Sequence, residues 1–398
     1  MRVSTAQSFD VGVTNLQRRQ GELAETQERM TSLTRVNRAS DDPAAAARAE
    51  RALAGIERSV TSQRAVDASR SAMSQTESAM ADAGALMQQA RDAIVAAGNG
   101  SYSDTERRGL SAHIAQVRAQ LLAVANRSDG AGSYLFAGQA ATQAPFLDAP
   151  GGVRFIGTTG QAMTEASIAL PLSIDGAAVF LSARSGNGVF ETRTAPFVAG
   201  ARIDAGRVTD PAAITGSSYR LEFSVAAGAT TYAVLKDGAP TAVTAAPYVS
   251  GQAIGVDGMA LVVSGAPATG DVFEAVPSAP DLSIFDVLDR AVADLATAGR
   301  SPAQVTQGND RALRDIDSTL GTLLSARSLA GQTLARIDGE TSRLADLKLA
   351  GQEQRSQAED LDMIQAISEF QTRQTSYDAA LKSYSMVQRM SLFSYLSV

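Results

Sequence analysis

Cysteine is absent from the 398 residues, which excludes disulfides, zinc–thiolate sites and thiol nucleophiles together. A cysteine-free composition is compatible with life outside the cell, although cytosolic chains also lack cysteine by chance. Tryptophan is absent too, aromatic residues make up 5%, and there is one histidine, His113, so no rich cofactor pocket or base-stacking surface is available. The formal net charge is −7, whereas a nucleic-acid surface needs clustered Lys and Arg. The first forty residues hold six Arg against four acidic residues, a surplus small enough to be a solvated helix face. No apolar run approaches the roughly eighteen residues of a membrane span. The amino-terminal stretch also lacks the apolar core of a secretory signal, so export, if it occurs, is expected without a cleaved signal peptide.

Both ends of the chain carry one thin apolar stripe. Phe9, Leu16, Leu23 and Met30 recur every seven residues, with Val13 four places after Phe9, which puts them on one face of a helix. The other faces carry Asp10, Gln17, Arg18, Arg19, Glu22, Glu25 and Glu28, so this helix cannot sit inside a monomer's core. At the far end Met363, Ile367, Phe370, Tyr377, Leu381 and Tyr384 step by four and three, with Gln374 interrupting. Such segments are expected to pair with each other or with copies of themselves. The final Ser391-Leu392-Phe393-Ser394-Tyr395-Leu396-Ser397-Val398 is an apolar tip on a polar segment, the pattern of a docking element.

Between the ends, Ser40-Asp41-Asp42-Pro43 opens a second helix. Pro suits the first helical position, and Ser or Asp before it caps the free N–H groups. Capping accounts for both aspartates, and no His or third carboxylate stands near them to make a metal site. Val66, Met73, Met80, Met87 and Ile94 repeat every seven residues, a core seam that ends at Gly98-Asn99-Gly100. Ser103 and Glu106 form a capping box ahead of the seam Leu110, Ile114, Val117, Leu121 and Val124. His113 lies beside that seam as a surface residue.

From Asp129 to Pro280 lie 20 of the 33 Gly and 10 of the 12 Pro, a density that reads as short strands. Tyr219, Leu221, Phe223 and Val225 alternate with polar residues, and Asp237-Gly238 and Asp257-Gly258 are hairpin turns. None of the glycines makes a nucleotide loop, and the sequons at Asn99 and Asn126 mean little without a secretory signal. Helical pattern returns with Phe285, Leu288, Val292 and Leu295, breaks at Gly299 to Pro302, and continues through Leu313, Ile316, Leu320, Leu323, Leu334, Ile337, Leu344, Leu347 and Leu361. Gly321, Gly331, Gly339 and Gly351 are tolerated there at modest cost.

The fold expected is mainly α with a β insert: long antiparallel helical arms formed by both chain ends, plus one β-rich domain. In order these are an end helix (1–42), a first helical arm (43–145), the inserted β-rich domain (146–280), a second helical arm (281–355) and a carboxyl-terminal end helix (356–398).

Met1-Arg2-Val3-Ser4-Thr5 with Phe9 and Leu16, then Arg35-Val36 and Ser40-Asp41-Asp42-Pro43, resemble the amino-terminal signature of the flagellin superfamily. Within it, the chain is most similar to the hook–filament junction proteins. Tyr134-Leu135-Phe136-Ala137-Gly138 with Pro145-Phe146 resembles the end of their first arm. Ser264 to Phe273 resembles a turn of their β domain, and Ser391 to Leu396 their terminal motif. Ser32-Leu33-Thr34-Arg35 departs from the family's Ser-Thr-Gly-Lys-Arg pattern. Flagellin itself normally starts with an Ile-Asn-Thr-Asn pattern and lacks the Phe and Tyr tip.

The resemblance implies an extracellular structural part of the flagellum, exported by the flagellar type III apparatus, with no enzyme activity and no cofactor. Its implied partners are copies of itself in a ring, hook-associated protein 1, flagellin, and an export chaperone on the segment Leu361 to Leu396. Nucleic acid, membrane and small-molecule substrates are not expected. The end segments would be disordered in the free subunit and fold on assembly. Their interface residues would be Phe9, Val13, Leu16, Leu23, Met30, Met363, Ile367, Phe370, Tyr377, Leu381, Tyr384, Leu392, Phe393, Tyr395 and Leu396, with Ser40, Asp41, Asp42 and Pro43 as a helix cap. The alternatives are a flagellin filament subunit and, more remotely, a secreted hydrolase using paired acids such as Asp175 and Glu191 in the β domain.

Overall fold

The computed structural model describes residues 5–130, 132–139, 143–164, 169–195 and 198–396. It divides into two compact units, one of residues 1–64 with 340–398 and one of 65–339. Helices α1 (Thr5–Ser32), α2 (Pro43–Ala97) and α3 (Asp104–Ala125) come first. Strands β1 (Phe146–Ala149) and β2 (Gly152–Phe155), the short α4 (Gly176–Phe180) and strands β3 (Phe190–Thr194), β4 (Ala201–Ile203) and β5 (Arg207–Val208) follow. Next are β6 (Tyr219–Ala226), β7 (Ala229–Lys236), β8 (Ala239–Pro240), β9 (Ala246–Pro247), β10 (Ala253–Val256), β11 (Met259–Gly265) and β12 (Val272–Pro277). Helices α5 (Ile284–Ala296), α6 (Pro302–Glu359) and α7 (Met363–Leu396) close the chain. The arrangement is the expected one, helical ends flanking a β-rich insert.

In the larger unit the seven-residue seam of α2 forms the core. Val66, Met73, Met80, Met87 and Ile94 are all buried to 1% exposure or less, and the buried Ser69 and Thr76 fill small positions between them. The capping box of Ser103 and Glu106 opens α3 with both of its hydrogen bonds made, and Ile114, Val117 and Leu121 are buried while His113 is exposed. Ion pairs Arg91–Asp317 (2.8 Å), Arg327–Glu77 (2.6 Å) and Arg70–Asp338 (2.7 Å) run between α2 and α6. Numbers rise on one helix as they fall on the other, so the two are antiparallel. Half-exposed pairs of this kind contribute little each and mainly fix register.

The insert has two parts with different anchors. The β1–β2 hairpin is tied to the helices. Arg118 of α3 grips Asp148 with two hydrogen bonds (2.7 and 2.9 Å) and Asp289 of α5 at 2.6 Å, and Phe146 packs on Phe180 and Phe285. The sheet core proper begins at Phe190. One sheet has the order β3-β12-β6-β7-β8, with β9 also on β7; the other has β10-β11-β4, with β5 on β11. Both Asp-Gly turns join antiparallel strands, Asp237 and Asp257 taking positive φ angles of 49° and 38°. Alternation along β6 buries Tyr219, Leu221 and Phe223 but not Val225, which is 41% exposed near the strand's end.

In the smaller unit α2 and α6 approach closely enough that Gly351 is required rather than tolerated. A Cβ at that position would stand 2.9 Å from Ile56 Cγ1, inside van der Waals contact. Along α6, Ile316, Leu320, Leu323, Ile337 and Leu344 are buried, whereas Leu347 is 49% exposed. The apolar pattern through Leu361 does not mark one continuous helix, because the chain breaks between Glu359 and Met363.

Candidate assembly site

The two chain ends pair antiparallel inside the smaller unit. Phe9 meets Tyr384 edge to face, with ring centroids 6.2 Å apart. Arg373 donates to the Glu22 carbonyl at 2.9 Å, and the Leu361 N–H donates to the Leu33 carbonyl at 3.1 Å. On α1 the covered stripe runs through Phe9, Gly12, Leu16, Arg19, Leu23, Thr26 and Met30, in alternating steps of three and four. On α7 it runs through Ala366, Phe370, Arg373, Tyr377, Ala380 and Tyr384. This is the spacing of a two-helix seam, but half of its positions are small or charged. A Cβ on Gly12 would lie 3.2 Å from the Tyr384 ring, so the helices come together there because one side has no side chain.

Among the described residues, the only α1 side chain under 9% exposure is that of Thr26 and the only one on α7 is that of Ala366. Phe9, Leu16, Leu23, Met30, Phe370, Tyr377 and Tyr384 are half-buried. Four of the apolar residues singled out from the sequence lie off this seam: Val13 (39% exposed), Met363 (38%), Ile367 (43%) and Leu381 (41%). They face outward with Val11 (55%), Ile364 (85%) and Met386 (65%). The apolar period of the sequence therefore mixes two columns, one covered by the partner helix and one open. The backbone of Leu392, Phe393, Tyr395 and Leu396 continues α7, and their side chains lie outside the described residues.

Where α1 ends, the chain makes a clamp. Leu33 holds φ = +60°, the left-handed conformation that glycine commonly supplies past a helix end. Aligned on Arg35, the family pattern's glycine falls on Leu33. Thr34 and Asp360 form a short antiparallel bridge, with the Arg35 N–H donating to Glu359 O at 2.6 Å. The Arg35 side chain donates to Ala358 O at 2.8 Å and to Asp42 at 3.1 Å.

Asp42 also caps α2, its Oδ1 accepting from Ala45 N at 3.0 Å. Asp41 accepts from the N–H groups of Asn37 and Arg38 at 3.1 and 2.9 Å. These hydrogen bonds, from Arg38 N–H to Asp41 and from Ala45 N–H to Asp42, hold both carboxyls below the usual aspartate range, with Arg35 adding to the effect on Asp42. Pro43 takes the first position of α2 and Ser40 Oγ donates to Asp41 at 3.4 Å.

Opposite, Asp362 accepts from Ile364 N and Gln365 N at 2.9 and 3.2 Å and so starts α7. The sequence pattern puts the boundary between the second arm and the end helix at 355/356, a few residues before this break, and carries the apolar spacing on through Leu361. No Gly or Pro marks the break, and the spacing Asp362 to Ile364 was its only signal. The acids weighed as a hydrolytic pair are engaged separately. Asp175 caps α4 and accepts from Gly160 N at 2.9 Å, while Glu191 is buried against Arg193.

Residues 3–141 match the bacterial flagellin N-terminal helical region, and residues 313–396 match the bacterial flagellin C-terminal helical region. Flagellar hook-associated protein 3 of Salmonella typhimurium is 34% identical over 161 residues, 38% of this chain and 48% of the relative's length. Flagellar hook-associated protein 3 of Escherichia coli strain K12 is 23% identical over 406 aligned positions, 99% of both chains. The crystal structure of the flagellar junction protein of Legionella pneumophila, 29% identical, superposes with a TM-score of 0.64 over 70% of this chain and 94% of its own.

Proposed function

The chain belongs to the hook-associated protein 3 family of the flagellin superfamily, a structural component of the bacterial flagellum outside the cell, and from that premise we propose how it assembles at the hook–filament junction. The end helices α1 and α7 build the inner wall of a ring of identical subunits. One face of the ring packs on hook-associated protein 1 and the other templates flagellin, with the β domain turned outward. The chain leaves the cell through the flagellar export apparatus with its ends unpaired, and an export chaperone holds the segment from Leu361 to Leu396.

The observation that carries this reading is the open second column on the end helices. Val13, Ile364, Ile367 and Leu381 stay exposed although α1 and α7 are already paired. A two-helix pair with a half-filled seam and apolar residues on its outer flank gains the missing burial from neighbouring copies, at about 25 cal/mol per Å² of apolar surface covered. A monomeric function would leave that column wet with nothing to cover it.

Deletion of the gene tests the proposal. The expected phenotype is cells with hooks, without filaments, and with flagellin lost into the medium. Normal filaments on deleted cells would contradict it.

A further inference from the structure

Asp315 lies on α6 in the larger unit with its side chain 4% exposed and its Oδ1 without a hydrogen-bond partner. Four charged groups face it. Arg290 comes from α5 at 3.7 Å, Arg311 and Arg314 from α6 itself at 3.8 and 3.6 Å, and Glu191 from β3. None of the arginines comes within hydrogen-bonding distance of it. Glu191, also 4% exposed, is better served, with Arg193 at 2.9 Å and Arg311 at 3.7 Å. Arg314 spends one donor on Thr192 Oγ1 at 3.3 Å, while its Nε and NH2 and the Nε of Arg311 have no partner. Arg311 is thus divided between two buried carboxylates, one on a strand and one on a helix, and bonded to neither.

We propose that Glu191, Arg311 and Asp315 form an acid-tightened latch between β3 and α6: a proton taken up by Asp315 removes an unsatisfied buried charge and leaves Arg311 to close on Glu191, whereas the ionised Asp315 keeps the junction loose. A buried carboxylate without good hydrogen bonds costs free energy in its charged form.

The two carboxyls respond to acid differently. Burial pushes Asp315 above the ordinary aspartate range, more than Arg314, Arg290 and Arg311 pull it down. Burial also pushes Glu191 up, but Arg193, Arg311 and Arg314 outweigh it and hold Glu191 below the ordinary glutamate range. A raised group contributes stability that is full below its unfolded value and is lost as pH rises through its folded value. A depressed group contributes in the opposite sense, down to its own lower value. Falling pH therefore neutralises Asp315 before Glu191 loses its charge, and the junction gains. Asp286 on α5, one turn before Arg290, is the other aspartate that burial raises.

Amide exchange of Thr192 and Arg193 in the full-length chain, corrected for the intrinsic pH dependence, and the thermal midpoint at pH 7 and pH 5 test the latch. Protection of β3 in the wild type is expected to rise on acidification. Asp315→Asn is expected to raise the midpoint at pH 7 by about 2 °C or more and to abolish the rise in β3 protection. An Asp315→Asn chain with a lower midpoint at pH 7, or with the wild-type pH response intact, overturns the proposal. Carbon-13 carboxyl titration of Asp286→Asn, which keeps Asp315, needs no change in the latch. One aspartate titrating above the ordinary range is expected there, and its absence overturns the proposal equally.

Discussion

The guanidinium of Arg35 donates to the carbonyl of Ala358 at 2.8 Å, joining positions 323 residues apart. Through its second hydrogen bond, to Asp42, one side chain holds the start of α2 against the end of α6. It does so at the point where α1 ends and α7 begins. The Ser-Asp-Asp-Pro stretch is therefore more than a pair of caps: it is half of the clamp that brings the two chain ends side by side.

Arg35→Ala removes both contacts and leaves the Ala358 carbonyl to water. The side chain is 43% exposed, so the expected loss is about 1 kcal/mol, at the low end for charged hydrogen bonds. The expected readout is faster proteolysis around residues 33–42 and 359–362 with the β sheets unchanged by circular dichroism. Arg35→Lys should behave like the alanine variant, because one ammonium cannot span both acceptors in the way the planar fork does.

Leu33→Gly should strengthen the end of α1. Leu33 is 58% exposed, so little packing is lost, and glycine adopts the left-handed conformation without strain. The expected gain is about 1 kcal/mol, read as roughly fivefold slower amide exchange over the last turn of α1. Faster exchange in the variant would show that Leu33 is held by contacts rather than strained.

Phe9→Asp and Leu381→Asp separate the covered seam from the open column. Phe9 packs on Tyr384, so its replacement should unpair α1 and α7 in the isolated chain as well as block assembly. Leu381 lies off the seam, and its replacement should leave the isolated chain unchanged while abolishing filament attachment. Normal swimming in either variant would contradict the assembly role of these helices.

Acid should loosen the opening of α2. Asp41 and Asp42 are both held below the usual aspartate range by backbone hydrogen bonds, Asp42 also by Arg35. A depressed group contributes stability that is present above its unfolded value, about 4 for aspartate, and is lost as pH falls through its folded value. Exchange at Ala45 and Ala46 is expected to accelerate below that value, and Asp42→Asn should flatten the response because its amide oxygen still caps but no longer titrates.

The fold was legible wherever apolar residues do the packing. The Met73, Met80 and Met87 seam, the α3 capping box and the two Asp-Gly hairpins can all be read from spacing alone, because each rests on a strong local preference. The end-helix seam was half legible. The other half of the covered seam is Gly12, Arg19 and Thr26 on α1 and Ala366, Arg373 and Ala380 on α7, residue types that carry no hydrophobic signal. The apolar neighbours Val13, Ile367 and Leu381 stood in for them and proved to point away. The exact place of the break before α7, expected at 355/356 and found between Glu359 and Met363, was hidden for a related reason. Its causes are a cap at Asp362 and backbone bonds to Leu33 and Arg35, which are distant in sequence. The Leu33 conformation could be inferred only from the family pattern in which glycine holds that place.

Amide exchange on the purified, monomeric chain tests the central claim most directly, with α1 and α7 compared against the Met73 to Met87 stretch of α2 in the same sample. A seam whose only fully covered side chains among the described residues are Thr26 and Ala366 is expected to leave α1 and α7 exchanging at least a hundredfold faster than α2, a difference of about 3 kcal/mol. Protection of the end helices equal to that of α2 in the monomer would contradict the account.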